Sequence, residues 1–340
     1  MKTSVKMALL AAAALIALLL GVGVGSVYVS PGDILAILGS RLFGTAFPED
    51  LPASYSNMVL DMRLPRVLLA FLTGAALALG GAVMQSILQN PLASPFGLGV
   101  SSGAGLGAAI VIALGLAGGA LGVFLLPAVS LAFALGTVLL VVLVSARLDR
   151  NLSNVTVILV GMALSLFCNA VMSMLAAASP ARAQRIQLWQ LGSFSMREWS
   201  AVWVLLPFAA AGLLLFLGYA RELDVMTFGE EQARSMGVDL GRVKRVLLSA
   251  VAALTGAAVA FAGVIGFVDL IAPHIVRKWF GAAHRRVLPA AALLGGTFLV
   301  LCDLAARTLV PPREIPIGSV TALLGAPFFL YVFFAGRKGR

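Results

Sequence analysis

LPRVLLAFLTGAALALGGAVMQSIL, residues 64–88, carries one charged side chain, Arg66, in 25 positions. About 20 apolar residues take an α-helix across the hydrocarbon of a bilayer, so this run is long enough to span. The pattern recurs along the chain. Of its 340 residues 61% are hydrophobic and 11% charged, a balance that makes lipid the solvent for most of it. Further spans are expected near 8–29, 97–118, 121–146, 152–177, 200–220, 246–263, 267–280, 287–306 and 318–335. The run 246–276 reads alternatively as one long span holding Asp269. Gly263, Gly266 and Pro273 favour a break into two, the second unusually short. The expected fold is all-α and polytopic, about ten transmembrane helices in a single domain over 1–340.

The rival reading of residues 1–29 is a cleaved signal peptide, because Lys2 and Lys6 precede an apolar run ending in GVGVGS. Met7 to Val29 is free of charge and long enough to span, which favours a retained helix. With ten spans and the amino terminus inside, Arg41, Arg63, Arg66, Arg182, Arg185, Arg197, Arg307 and Arg313 fall outside, and the other 16 of the 24 Lys and Arg fall inside. This bias supports cytoplasmic termini in a plasma or inner membrane, and it accounts for the net charge of +10 without nucleic acid.

Cys168 and Cys302 lie within apolar spans and read as small hydrophobes. His274 and His284 have no neighbour at metal-ligand spacing, so no metal or other cofactor is expected. Two histidines and two cysteines offer no nucleophile–base pair, so no enzyme is expected either. An ion-coupled secondary transporter would bury titratable groups at mid-membrane, and only Asp269 and Asp303 are candidates. The chain lacks a GxxxxGK[ST] phosphate loop, so energy for uphill transport must come from a separate protein.

The charged stretch FGEEQARSMGVDLGRVKR, 228–245, stands in the expected cytoplasmic loop 221–245. Thr227 and Glu230 fit a capping box, Glu230 and Arg234 an i,i+4 pair, Gly237 a left-handed stop, and Asp239 the N-cap of the next span. These predict a helix of about two turns, suited to docking in a groove on a soluble partner or, more plainly, serving as a solvated linker.

This stretch resembles the coupling loop of the FecCD family, membrane subunits of ABC importers for iron–siderophore complexes, haem and vitamin B12. Residues 63–108 (RLPRVLLAFLTGAALALGGAVMQSILQNPLASPFGLGVSSGAGLGA), LWQLGSFSMREW (188–199), GVIGFVDLIAPHIVR (263–277) and DLAARTLVPPREIPIGSVTALLGAPFFLYV (303–332) resemble it in order. The resemblance implies a type II ABC importer permease, paired as a homodimer or pseudo-dimer, with separate ATPase subunits below. It also implies a periplasmic or lipid-anchored binding protein that docks above. The implied cargo is an iron chelate, with cobalamin as the alternative. Gly229, Glu230, Ala233, Arg234 and Gly237 are implied to meet the ATPase, and Arg63, Arg66 and Arg307 to receive carboxylates of the binding protein. For these arginines the plainer reading is snorkelling or pairing with Asp61 and Asp303. The segment 187–196, with Gln187, Trp189, Gly192, Ser193 and Phe194, is implied to line the outer vestibule; as residues alone, Trp189 and Trp199 read as an interfacial belt. The family usually has glycine where this chain has Asp269, expected near the outer face. Asn90-Pro91 and Ser94-Pro95 predict a turn that is buried or covered by a partner.

Overall fold

The computed structural model describes residues 2–25, 27–44, 51–149, 152–195 and 198–335. Ser26, Arg150, Met196, Arg197, Arg337, Lys338 and Arg340, which entered the reading of topology and vestibule, lie outside the described residues. Among the described residues there is helix and no strand. In chain order the helices are α1 (Thr3–Gly23), α2 (Pro31–Phe43), α3 (Ala53–Asn57), α4 (Leu64–Ile87), α5 (Val100–Ala113), α6 (Gly119–Leu148), α7 (Asn154–Ala178) and α8 (Pro180–Gln190). Then follow α9 (Trp199–Gly218), α10 (Ala220–Met226), α11 (Glu230–Ser235), α12 (Leu240–Ala262), α13 (Val268–Phe280), α14 (His284–Thr308) and α15 (Ile317–Ala335).

Each expected span coincides with one of these helices. Seven among the described residues are long and apolar enough to cross a membrane: α1, the continuous run 54–87 that contains α4, α6, α7, α9, α12 and α14. The other three are shorter: α5 and the 317–330 part of α15 are apolar, and α13 has 13 residues. A wide turn of π-helix, Met58–Arg63, joins α3 to α4.

The centre of the molecule is α4. Every residue from Thr73 to Ile87 is buried, against α14, α12, α13 and α9. Lipid-embedded helices gain little from hydrophobic burial between themselves and pack by close approach of small residues. A Cβ added at Gly74 would lie 2.7 Å from the carbonyl carbon of Gly295 on α14, and one at Gly81 would lie 2.6 Å from that of Asp269 on α13.

The break between α12 and α13 falls at 263–267, as the glycines predict, but Pro273 is not part of it. Pro273 sits inside α13. Its missing N–H leaves the carbonyl four residues earlier, that of Asp269, without its helical partner. Gln85 Nε2 donates to that oxygen at 3.4 Å. Because Gly81 and Gln85 lie in the last two turns of α4, Asp269 belongs to the half of the molecule nearer the 221–245 loop, not to the opposite face where it was expected. The turn after α4 divides: residues 89–92 are exposed, whereas Ala93, Pro95 and Leu98 are buried. Ser94 caps a 3₁₀ turn over Pro95–Leu98 and donates to Asp269 Oδ2.

Candidate functional site

At the 221–245 end, α11 is a single short helix whose carboxy-terminal half follows the sequence expectation. Gly237 holds φ +83°. Its N–H donates to Arg234 O at 2.9 Å, and that of Val238 donates to Ala233 O at 3.0 Å, the paired bonds of a Schellman stop. Asp239 caps α12 by accepting from Arg242 N at 3.1 Å. The amino-terminal half differs. Gly229, at φ +123°, occupies the cap, and Thr227 Oγ1 donates back to Asp224 O at 2.6 Å, so no capping box forms. The Glu230 carboxylate turns away from Arg234 and accepts from Lys244 Nζ on α12 at 2.7 Å. Ala233 is buried, while Arg234, Gly237, Phe228 (72% exposed) and Met236 (62% exposed) face out.

Beside α11, α10 is fastened by a second buried connection that spacing did not suggest. Asp224 Oδ1 accepts from His284 N at 2.8 Å and from His284 Nδ1 at 2.6 Å. His284 Nε2 lies 2.7 Å from Ser86 Oγ, which accepts from Arg277 at 3.3 Å. Arg277 also donates to Ala82 O at 2.9 Å and to Gln85 Oε1. A carboxylate only accepts, so Nδ1 carries the proton toward Asp224 and Nε2 is free to accept from Ser86. A hydroxyl, an imidazole and a carboxylate thus stand in line, which corrects the expectation that no nucleophile–base pair can form. Burial keeps the set structural: Ser86 is 2% and His284 0% exposed, so substrate has no route to the hydroxyl. The chain of bonds ties α10 to α14, α4 and α13.

At the opposite end the three arginines of the docking expectation are engaged internally. Arg63 is 7% exposed and donates to the carbonyls of Val22 (3.0 Å), Gly23 (3.2 Å) and Val27 (2.6 Å), closing the open end of α1. Arg66 makes a forked pair with Asp303 (2.8 and 3.1 Å) and a second with Glu314 (2.7 and 3.1 Å). Arg307 donates to Gly21 O and lies 3.6 Å from Asp303. Asp61 is exposed and pairs with none of them. Arg63 and Arg66 anchor helices here through these carbonyls and carboxylates, whereas the buried Nε of Arg307 has no hydrogen-bond partner among the described residues.

Glu314 lies in the loop between α14 and α15. Burial alone would raise its carboxyl, but hydrogen bonds from Arg66 and Ser195 and the nearby guanidinium charge outweigh burial and hold it below its ordinary value. A carboxyl held low in the folded state stabilises above the ordinary glutamate value of about 4.3 and loses that contribution as pH falls through the lowered value. Protection of the 309–316 amides, corrected for intrinsic exchange, is therefore expected to fall only under acid below that point. Glu314→Gln should remove this pH dependence, and wild-type protection that stays level down to acid unfolding of the whole protein would refute it.

Between the two ends, three irregular segments meet and satisfy one another. Ser193 N donates to Ala262 O at 2.9 Å and Gly318 N to Leu191 O at 2.9 Å, while Gly263 approaches Gly192 and the Trp189 carbonyl. Non-helical backbone at membrane depth persists only where protein buries it or where it lines a watery cavity. Of the five residues expected to line a vestibule, Gln187 and Ser193 are exposed and Trp189 is half-buried; Gly192 and Phe194 (1% exposed) are buried and back the segment. The Trp189 indole N–H has no partner, and its ring lines a cavity of about 220 Å³ with Glu198, Ala201 and Phe261. Trp199, expected at the interface, is half-buried and donates to Leu60 O at 2.9 Å.

Comparison with known proteins places these features. The model of the FecCD transport family matches residues 13–335. The uncharacterized ABC transporter permease protein YvrB of Bacillus subtilis is 43% identical over 95% of this chain and 92% of its own length. The cobalamin import system permease protein BtuC of Halobacterium salinarum is 38% identical over 83% and 74%. A solved structure of a metal-chelate type ABC transporter in an inward-facing conformation superposes with a TM-score of 0.85 at 30% identity, covering 97% of this chain and 99% of that one.

Proposed function

Because the chain belongs to the FecCD transport family, we propose that it passes an iron chelate, a siderophore complex or haem, across the plasma or inner membrane. It is a multi-pass ABC importer permease without catalytic residues of its own, and ATP is hydrolysed on a separate subunit. The metal-chelate neighbour supports the cargo reading, and the cobalamin relative makes vitamin B12 the second reading. Cytoplasmic termini and α11 on the cytoplasmic face follow from the distribution of Lys and Arg. We take 1–340 as one domain, and a homodimer as the assembly that surrounds the pathway.

The observation that carries the reading is α11. It is stopped rigidly at Gly237, held from within through Glu230 and Ala233, and presents Phe228, Arg234 and Met236 outward, the layout of a helix that fills a groove on the ATPase. Gln187, Trp189 and Ser193 would then face the pathway, with Gly192 and Phe194 behind them. Arg63, Arg66 and Arg307 would shape the docking face for the binding protein by holding its corner, with Glu314 exposed beside them.

The test is uptake in proteoliposomes holding permease, ATPase and binding protein, with haemin, ferric citrate and cyanocobalamin offered separately. Valine at Gly237 must adopt φ near +83°, which costs about 1–2 kcal/mol for a side-chain-bearing residue. No atom lies near enough to clash, so the membrane fold should persist. Gly237→Val is expected to lower uptake and ATPase association roughly tenfold, the factor that 1.4 kcal/mol represents. Normal association together with normal uptake would reject α11 as the contact.

A further inference from the structure

Lys244 is 1% exposed, inside a helix that spans the membrane. An ammonium has three donors, and burying it is costly unless each is met and a counter-charge stands close. Here each is met from a different segment: Leu152 O at 2.8 Å, Asn154 Oδ1 at 3.0 Å and Glu230 Oε1 at 2.7 Å. Leu152 is the buried residue before α7 and holds φ +51°, a conformation that leucine adopts only where its surroundings impose it. The same ammonium that holds Glu230 therefore also holds the carbonyl of this strained turn. Asn154 is the first residue of α7. Among the described residues, no other side chain of α11 hydrogen-bonds to a membrane-spanning helix.

We propose that Lys244 is the joint through which displacement of α11 is carried into α12 and the start of α7. A push on α11 moves the Glu230 carboxylate, the ammonium follows the carboxylate it is paired with, and Leu152 and Asn154 follow the ammonium. The proposal rests on the reading of α11 as the ATPase contact and adds a positioning residue that is remote from cargo and nucleotide.

The test is the number of cargo molecules taken up per ATP hydrolysed, in proteoliposomes of the full complex loaded with whichever of haemin, ferric citrate and cyanocobalamin the wild type transports. Lys244→Met removes all three bonds at similar volume. It is expected to keep ATPase association within about twofold and to keep ATP hydrolysis, while uptake per ATP falls at least tenfold. Glu230→Gln still offers an oxygen to the ammonium but removes the paired charge, and its loss should fall between wild type and Lys244→Met. Lys244→Met with Glu230→Ala should be no worse than Lys244→Met alone, because both cut one path. Wild-type uptake per ATP in Lys244→Met, additive loss in the double variant, or loss of ATPase association would each overturn the joint. Should Lys244→Met fail to fold, Glu230→Ala reads the same link with the lysine's two neutral acceptors in place, and unchanged uptake per ATP there overturns it too. A wild-type chain that does not associate with the ATPase at all rejects the reading of α11 instead.

Discussion

Replacing Gly81 by alanine is expected to abolish accumulation of folded protein. The added methyl would stand 2.6 Å from the Asp269 carbonyl carbon and 2.8 Å from its Cα, and backbone cannot swing aside as the tip of a long side chain can. α4 and α13 would have to part. With that separation go the bonds from Gln85 to Asp269 O and from Arg277 to Gln85, Ala82 and Ser86. Overpacking costs about 1–3 kcal/mol in ordinary cores, and a backbone-on-backbone overlap falls at or beyond the top of that range. Gly97→Ala is the matched control, since nothing lies within 4 Å of its added Cβ. Yield of monodisperse protein after detergent extraction distinguishes them. Equal yield and equal melting temperature for both variants would disprove the contact.

The second large effect is expected at Asp303. It is 2% exposed and is the shared counter-charge of Arg66 and Arg307. Asp303→Asn keeps the shape and removes the charge, leaving two guanidinium groups with the outlying Glu314. Breaking one side of a buried pair costs about 3–5 kcal/mol, whereas Glu314→Gln at a site 39% exposed should cost under about 1 kcal/mol. Thermal unfolding of the purified variants tests the contrast, and equal small losses would show that the network is not sealed from water. The same geometry decides what reversal of Arg63 and Arg66 to glutamate would report. Glutamate at 66 would face Asp303 and Glu314, and at 63 it would turn acceptors toward three carbonyls. That variant should disorder the corner as well as binding-protein docking, so it is a poor probe of docking.

The spans were legible because apolar run length decides them without reference to partners, and the glycines marked the α12–α13 break and the stop of α11. Several short helices carry no apolar run long enough to span. Ser30-Pro31-Gly32-Asp33 has a full capping box and a first-turn proline, a local signal independent of apolar run length. Thr227 and Glu230 had capping-box spacing, but glycine at 229 took the cap and a lysine on another helix took the carboxylate. Lys244 and His284 could not be read at all. Their farthest partners lie 92 and 198 residues away in sequence, and only the packing of α4, α7 and α12–α14 brings them within reach. For the rim arginines, pairing with Asp303 was among the readings, whereas the carbonyls at the end of α1 that Arg63 and Arg307 meet left no trace in spacing, since charge at a span end ordinarily seeks water. Here helix ends and a buried aspartate outbid it.

The brevity of α13 bears on how the chain is made. Thirteen residues rise about 20 Å, against about 30 Å of hydrocarbon, and the helix carries Asp269, Arg277 and Lys278. On the insertion scale such charges cost about 2.5–3.5 kcal/mol each at a helix centre. Presented alone to the translocon, α13 would stay in the aqueous phase. The groups that accept from Arg277 belong to α4, which is synthesised nearly 200 residues earlier. The finished first half of the protein is thus the template on which this segment enters the bilayer. A rearranged gene that delivers α13 before α4 is expected to leave this segment out of the bilayer.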